Sequence, residues 1–299
     1  MARIDLTEAN GYILEEQGSA VIQDLLANSA VERFARREAM ASRTKSVPRF
    51  VADAPEVVAE GETIPEATAT LDEVVLTAKK YAKIFHISEE DINDGLVDVL
   101  ATYKREWASR WARKFDNATL GVSVAQDGAD VAPYTSLYRL IAMPAQPTNY
   151  IATGGALSFD DINNALGIVE DSSKFDAANT VWMAHPKMLK EIRGMVKPNS
   201  DLVLPDPISG TPGSLFGYPL VVSYGAAVST AATANPTGNP LLICGNRQML
   251  INGIRGGVES VVSRDAEFSK DGVLLKTRVR RGFAVADADA FAIVEKTGA

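Results

Sequence analysis

Residues 56–94 read EVVAEGETIPEATATLDEVVLTAKKYAKIFHISEEDIND. The first half is acidic and has the composition of extended chain. Between Val51 and Ala78 stand Asp53, Glu56, Glu60, Glu62, Glu66, Asp72 and Glu73, with no Lys or Arg. Val, Ile, Thr and Tyr recur in VPRFVADAPEVVAEG (47–61) and TATLDEVVLTAKKYAKIFHI (68–87) without helix caps, which favours strands. Between them, Gly61 and Pro65 of GETIPEAT (61–68) break regular structure. The pattern predicts a long two-stranded hairpin over 45–87 with its tip near 61–68. A lone two-stranded ribbon is at best marginally stable in water. Something must therefore cover it, either the rest of this chain or a neighbouring one.

The second half opens a helix. Ser88 and Asp91 stand at capping-box spacing. Glu89, Glu90, Asp91 and Asp94 suit the positive end of a helix dipole, and Lys104, Arg105, Arg110, Arg113 and Lys114 suit the negative end. Ile92, Leu96, Val99, Tyr103, Trp107, Trp111, Phe115 and Ala118 recur every three or four residues as one apolar stripe. Gly121 stands where helix C-termini favour glycine. One helix over 88–121 is predicted, about 48 Å long at ~1.5 Å per residue. Gly95 inside it costs roughly 1 kcal/mol and is tolerated.

Upstream, residues 8–28 read as a helix with Ile13, Leu14, Val21, Leu25 and Leu26 on one face. Arg33, Arg36, Arg37, Arg43, Lys45 and Arg49 follow, as a solvated charged arm or one that docks on an acidic surface. Downstream, 123–157 reads as irregular. Ser158 and Asp161 cap a helix carrying Phe159, Ile162, Leu166 and Val169 on one face. TVWMAH (180–185) reads as a strand, and Pro186 opens the helix PKMLKEIRGM. SLFGYPLVVS (214–223) and NPLLICG (239–245) are short strands around a small-residue loop at 225–240. The Asp271–Gly272 pair signals a hairpin between 259–268 and 273–286, and ADADAFAIVEK (286–296) ends in a strand. These elements intermix without βαβα regularity, so the class is α+β.

Composition narrows the function. The 299 residues carry a formal charge of −8 and are 46% hydrophobic, an ordinary globular balance for about two domains of ~150 residues, or one large one. No apolar run approaches the ~18 residues that span a membrane, and the acid-bearing start MARIDLTEANGYILEEQG is not expected to be a secretory signal. A chain this acidic is not expected to coat nucleic acid. Cys244, the sole cysteine, cannot form an intrachain disulfide or a thiolate metal site, and it reads as a buried thiol. His86 and His185 are too far apart in sequence for a histidine zinc motif. His86 reads as packed or capping and His185 as a helix-start residue. Asp287 and Asp289 would share one face of a strand, where a solvated edge is commoner than a cation site. Glu60, Glu62 and Glu66 could pair for glycosidic cleavage, but they sit on a tip with no evident cleft. Trp107 and Trp111 read as core, and Arg278, Arg280 and Arg281 as salt-bridge partners of nearby acids. No catalytic, cofactor-binding or metal residue is assigned, and no cofactor is expected.

Taken in order, these stretches resemble the major capsid proteins of tailed bacteriophages, the family with the Hong Kong 97-type fold. The likeness rests on residues 56–94, similar to the family's E-G-x-x-I-P-E hairpin with its following strand, cap and long helix. It continues through KFDNATLGV (114–122), VWMAHPKMLKEIRGM (181–195), SLFGYPLVVS (214–223) and RVRRGFAVADADAFAIV (278–294). The resemblance implies an N-terminal helix and arm over 1–44, an extended hairpin or E loop over 45–87, a peripheral domain with a spine helix over 88–154, an axial domain over 155–245, and a return to the peripheral domain over 246–299. It implies a non-enzymatic protein that assembles with copies of itself into pentamers and hexamers of an icosahedral shell enclosing double-stranded DNA, without sequence-specific binding. The virion would be its location and the host cytoplasm its place of assembly. Scaffolding, portal and decoration proteins would be further partners; with about 40 residues before the hairpin, a scaffold would be separate or absent. An encapsulin-type nanocompartment subunit is the alternative within the fold, and a soluble hydrolase using the hairpin carboxylates is the alternative outside it. The inter-subunit contact residues expected are Glu60, Glu62, Ile64, Pro65 and Glu66 on the ribbon and Arg33, Arg36, Arg37 and Arg43 on the arm. Some relatives weld subunits by a Lys–Asn isopeptide bond with the lysine on this hairpin; residues 50–78 contain no lysine, so no such bond is expected.

Overall fold

The computed structural model describes residues 29–298 except 52–56, 62, 64–65, 67–69, 94–97, 146, 196–212 and 268–269. The predicted helix over 8–28 lies outside the described residues, as do Glu62, Ile64, Pro65 and Gly95.

Two sheets and a ribbon organise the chain. Helix α1 (Ala30–Phe34) starts at Ser29, whose hydroxyl accepts the Glu32 N–H, and leads into strand β1 (Arg36–Ala39). Strands β2 (Thr44–Val51) and β3 (Thr70–Thr77) form the expected antiparallel hairpin, in register from Thr44–Thr77 to Val51–Thr70. The ribbon is shorter than predicted. It closes where the Ala78 N–H bonds the Arg43 carbonyl at 2.8 Å, and β4 (Lys79–Ser88) leaves it to pair with β12 (Gly272–Val285). The reason is burial: Tyr81, Phe85 and Ile87 of β4 find a core to pack against, whereas among the described ribbon residues only Leu76 is buried.

The predicted single helix over 88–121 is two. Ser88 remains the last residue of β4, opposite Gly272, and its hydroxyl accepts from the Glu90 N–H rather than forming a reciprocal box with Asp91. Helix α2 (Glu89–Asn93) follows, and the spine helix α3 (Val99–Leu120) has its own cap, the Asp98 carboxylate accepting the Ala101 N–H at 2.9 Å. The 22 residues of α3 span about 33 Å. Lys104 to Lys114 therefore sit in its first three-quarters, and its last turn carries no base, so the predicted dipole match fails. The apolar stripe holds where it meets the core. Trp107, Trp111, Phe115 and Ala118 are buried while Tyr103 is exposed. Trp107 and Trp111 stack at 6.2 Å and Trp111 and Phe115 at 5.6 Å, a geometry worth ~1 kcal/mol per pair beyond burial.

The stretch expected to be irregular, 123–157, contains helix α4 (Leu137–Ala142) and strand β5 (Tyr150–Thr153). Ser136 caps α4 through the Arg139 N–H, and Leu137, Tyr138 and Ile141 face the core. Six residues are too few for a periodicity signal. Helix α5 (Phe159–Glu170) has the predicted Ser158–Asp161 capping box. Beyond it come strand β6 (Thr180–Ala184), helix α6 (Pro186–Gly194), β7 (Ser214–Leu215), β8 (Tyr218–Val222) and β9 (Leu241–Asn246). With the final strand β13 (Phe291–Lys296) they form a six-stranded sheet ordered β5-β13-β9-β6-β8-β7. One core lies against this sheet, where Ile162 of α5 and Met188 and Ile192 of α6 meet Trp182 of β6.

The second sheet is built on β12. Strands β11 (Glu259–Glu267) and β10 (Leu250–Ile254) follow one another along one of its edges, β4 runs along the other, and β1 extends the sheet beyond β10. Glu267 faces Gly272 across the predicted hairpin, with Asp271 at φ 46°. The other main core fills the space around α3, where Phe115 meets Tyr134 of the loop before α4 and Tyr134 meets Phe283 of β12.

Candidate inter-subunit surfaces

The ribbon starts where the two sheets' support ends. At its root Leu76 packs with Met40 and Ile251. Halfway along, Arg49 bonds Asp72 across the pair at 2.5 Å, donates to the Ala286 carbonyl at 2.8 Å and lies 3.7 Å from Asp287. Beyond that, Val57, Ala59, Glu60, Gly61, Thr63 and Glu66 are exposed. Gly61, at φ 87°, takes the left-handed turn that glycine adopts at least cost.

The arm is folded rather than free. Arg36 pairs with Glu38 at 2.7 Å, Arg37 donates to the Glu32 carbonyl at 3.0 Å, and the Arg33 guanidinium lies 5.1 Å from the Phe34 ring. Lys45 also reaches Glu38, which holds that carboxyl below the usual range. Arg43 is exposed beside the ribbon root. Among the described residues no ion pair joins this arm to Glu60 or Glu66 of the same chain.

A groove of about 1230 Å³ opens between β4 and α3, a feature the sequence did not reveal. Tyr81, Phe85, Trp107 and Trp111 are among its lining residues, with eight cationic and two acidic side chains. Three of the cations are engaged: Lys79 with the Gly128 carbonyl at 2.6 Å, Lys114 with Asp130 at 2.7 Å, and Arg110 with Glu106.

Behind the groove, the end of α3 fastens three parts of the chain. Asp116 is buried and accepts from Ser29 Oγ, from the Ala30 and Val31 N–H groups at 2.8 and 3.3 Å, and from Ser223 Oγ at 2.6 Å. Burial pushes its carboxyl up to about 6, against the lowering effect of those four bonds. Asn117 donates to the Gly225 and Ala227 carbonyls and accepts from Ser229 and the Thr233 N–H. This explains the small-residue loop at 225–240, whose Gly225, Ala226 and Ala227 are packed on the helix. Gly121 is glycine for the same reason rather than for a left-handed cap, since a Cβ there would stand 2.1 Å from the Ala227 oxygen and its φ is −120°.

The remaining candidates have structural roles. Asp287 caps a turn by accepting the Asp289 N–H instead of sharing a strand face with it. Glu295, in the core, accepts from Tyr138, Tyr150 and Asn239 at 2.6–2.7 Å. His86 is exposed on β4, 3.0 Å from Glu267, rather than packed or capping, because even-numbered positions of this strand face outward. His185 does cap α6 through the Lys187 N–H at 3.2 Å. Cys244 is a buried thiol whose burial raises its pKa. Arg278 pairs with Glu259, and Arg281 pairs with Glu32 beneath the Trp111 ring. Among the described residues no helix is long and apolar enough to cross a membrane.

This arrangement is shared with solved structures. A chain of Gordonia phage Cozz superposes with a TM-score of 0.77 at 14% identity, covering 99% of this chain and 96% of that one. A chain of Mycobacterium phage Bobi gives 0.75 at 17%, covering both in full, and the capsid of an empty GTA particle gives 0.72 at 19%, covering 99% of each. The fold is thus α+β of the Hong Kong 97 capsid type. In sequence, the chain is 25% identical over 173 residues to the probable major capsid protein gp17 of Mycobacterium phage D29, a match covering 56% of this chain and about half, 51%, of that relative. The family described as the phage capsid family matches residues 10–296, and the chain belongs to it.

Proposed function

We propose that the chain is the shell-forming subunit of a tailed-phage or prophage particle, self-associating into pentamers and hexamers of an icosahedral capsid that encloses double-stranded DNA. The observation that carries this is the ribbon. Its outer residues are exposed and acidic, and its only buried described residue, Leu76, lies at the root. A thin ribbon held at one end is completed by packing on another subunit. Glu60, Glu62, Ile64, Pro65 and Glu66 are its contact residues, facing cations of a neighbour that include Arg43. Each contact is modest, but every subunit makes several at once, so the closed shell is stable.

The formal charge of −8 suits a container that holds duplex DNA without gripping it. The chain does no chemistry. Among the described residues the buried carboxylates, Asp116 and Glu295, are occupied by structural hydrogen bonds. Scaffolding, portal and decoration proteins are its partners in the particle, and assembly takes place in the host cytoplasm.

Deleting residues 57–68 tests this. The expected result is loss of hollow polyhedral particles by negative-stain microscopy, with light scattering showing a folded, unassembled chain. Particles at normal yield from the deleted chain would refute the role given to the ribbon.

A further inference from the structure

We infer that Arg49 is a positioning residue: by tying the middle of the ribbon to the chain just after β12, it sets the ribbon's direction within the unassembled subunit, before any neighbour is met. The consequence for assembly rests on the shell reading; the positioning itself does not.

The root fixes where the ribbon starts. Gly253 of β10 and Gly282 of β12 face each other in the ladder, and a Cβ on them would stand 2.4 and 3.1 Å from the Met40 sulfur. The glycine pair thus seats Met40, which clusters with Leu76 and Ile251, and Val47, Val74, Ala284 and Ala286 pack against that cluster. Apolar packing is non-directional. It holds the ribbon to the sheet without fixing the angle at which the ribbon leaves.

Direction needs a second point. Arg49, opposite Asp72, stands four residues beyond the Lys45–Leu76 pair, about 13 Å along the ribbon at ~3.3 Å per residue. Its guanidinium serves both sides. Nη2 holds Asp72 of the opposite strand at 2.5 Å, and Nη1 donates to the Ala286 carbonyl at 2.8 Å with the Asp287 carboxylate 3.7 Å away. Among the described residues this is the hydrogen bond farthest from the root that joins the ribbon to the rest of the chain. A planar fork bonds only over a narrow range of angles. Its anchor is itself held, because the Ala286 N–H bonds the Met249 carbonyl at 2.8 Å and Asp287 caps the next turn through the Asp289 N–H. A ribbon tied at two separated points has one line to follow, and setting that line in advance lowers the ordering cost of each contact made on assembly.

Electron–electron double resonance on the full chain, kept below the concentration at which shells form, tests the positioning. Thr44 at the root, Ala59 farther out and Asn164 on α5 are exposed, and the buried Cys244 stays unlabelled. Nitroxides on Ala59→Cys/Asn164→Cys are expected to give one narrow distance distribution. Arg49→Ala is expected to widen it about twofold, since the root alone leaves the angle free. The root pair Thr44→Cys/Asn164→Cys is expected to stay narrow in the same variant. Asp72→Asn, which removes the cross-strand carboxylate and leaves Nη1 on Ala286, is expected to keep the outer distribution narrow. No widening in Arg49→Ala, equal widening at the root, or equal widening in Asp72→Asn overturns the inference. As a second arm, Arg49→Ala is expected to raise the protein concentration needed for shells about tenfold, the equivalent of ~1.4 kcal/mol, and Asp72→Asn by less than about threefold. An unchanged threshold beside a widened distribution overturns the consequence for assembly. Absence of particles from the wild-type chain overturns the shell reading, and the distance measurement then decides the positioning by itself.

Discussion

Asp116→Asn sets the cost of burying a charge against the hydrogen bonds that a carboxylate makes and an amide cannot. Burial raises the Asp116 carboxyl from an ordinary value of 3.8 to about 6. Between those values the folded chain keeps a proton that the unfolded chain has released. Stability from this group is therefore complete below about 3.8 and is lost as pH rises through about 6. At one pKa unit per ~1.4 kcal/mol, the ionised, buried carboxylate costs about 3 kcal/mol at pH 7.5, and the wild-type chain recovers about 1 kcal/mol of it at pH 5. The asparagine cannot ionise, so it escapes that cost and shows no such pH dependence. It loses something else. Oδ2 accepts from the Ala30 N–H and Ser223, and Oδ1 from the Val31 N–H and Ser29, so an NH₂ at either place faces a buried backbone donor. An unpaired buried N–H costs ~1–3 kcal/mol. The two effects nearly offset at pH 7.5, and the variant is about 1 kcal/mol worse, relative to wild type, at pH 5. Urea unfolding of the unassembled chains at both pH values measures this, and the difference between variant and wild type cancels the other titrating groups. A difference that is the same at pH 5 and pH 7.5 would refute burial as the cause of the raised pKa.

Three further outcomes are expected. Gly225→Ala should lower the melting temperature by the equivalent of ~1–3 kcal/mol, because the new Cβ would lie 2.4 Å from the Asn117 nitrogen and 2.5 Å from the Asp116 Cβ; Gly154→Ala, with open space around it, is the control that should melt near wild type. Burial holds His185 down to about 4 from 6.5, so its stabilising contribution is present above about 6.5 and is lost as pH falls through about 4; its ring proton shift in NMR should stay flat from pH 8 to 5, and a midpoint near 6.5 would show the ring to be open to water. Denaturing gels of purified shells, reduced and non-reduced, should both show a single monomer band, since residues 50–78 offer no lysine for an isopeptide weld; a ladder would contradict this.

The features read correctly from sequence are those whose causes lie within a few residues. The Ser158–Asp161 capping box and the His185–Pro186 helix start each depend on one or two local hydrogen bonds, and the hairpin before β12 falls where expected, although Gly272 pairs with Glu267 in the ladder rather than forming a two-residue turn with Asp271. The Trp107, Trp111, Phe115 spacing gave the buried face of α3 for the same reason. Errors gathered where two local signals competed. Residues 88–94 carry acids and a serine that suit a helix start, yet Ser88 stays in β4 because pairing with Gly272 continues that far. The true cap of α3, Asp98, lies ten residues on, where a lone aspartate gave no distinctive pattern. Of the expected contact residues, Arg43 lines the groove, while Arg36 and Arg37 are engaged within their own chain.

Local chemistry in the sequence was enough to establish an acidic two-stranded ribbon and an amphipathic helix following it. Those properties follow from composition, alternation and helical period, which survive without knowing what lies opposite. Tertiary structure alone decided where the ribbon stops, which cations gather beside the tryptophans, and that Asp116 fastens the start of α1 and the Ser223 turn to the spine. All of these join residues well beyond any local window, from Arg43 with Ala78 to Ser29 with Asp116, 87 positions apart, and Arg49 with Ala286, 237 apart. Such pairings are set by long-range strand register and packing, and no short window of sequence contains both partners.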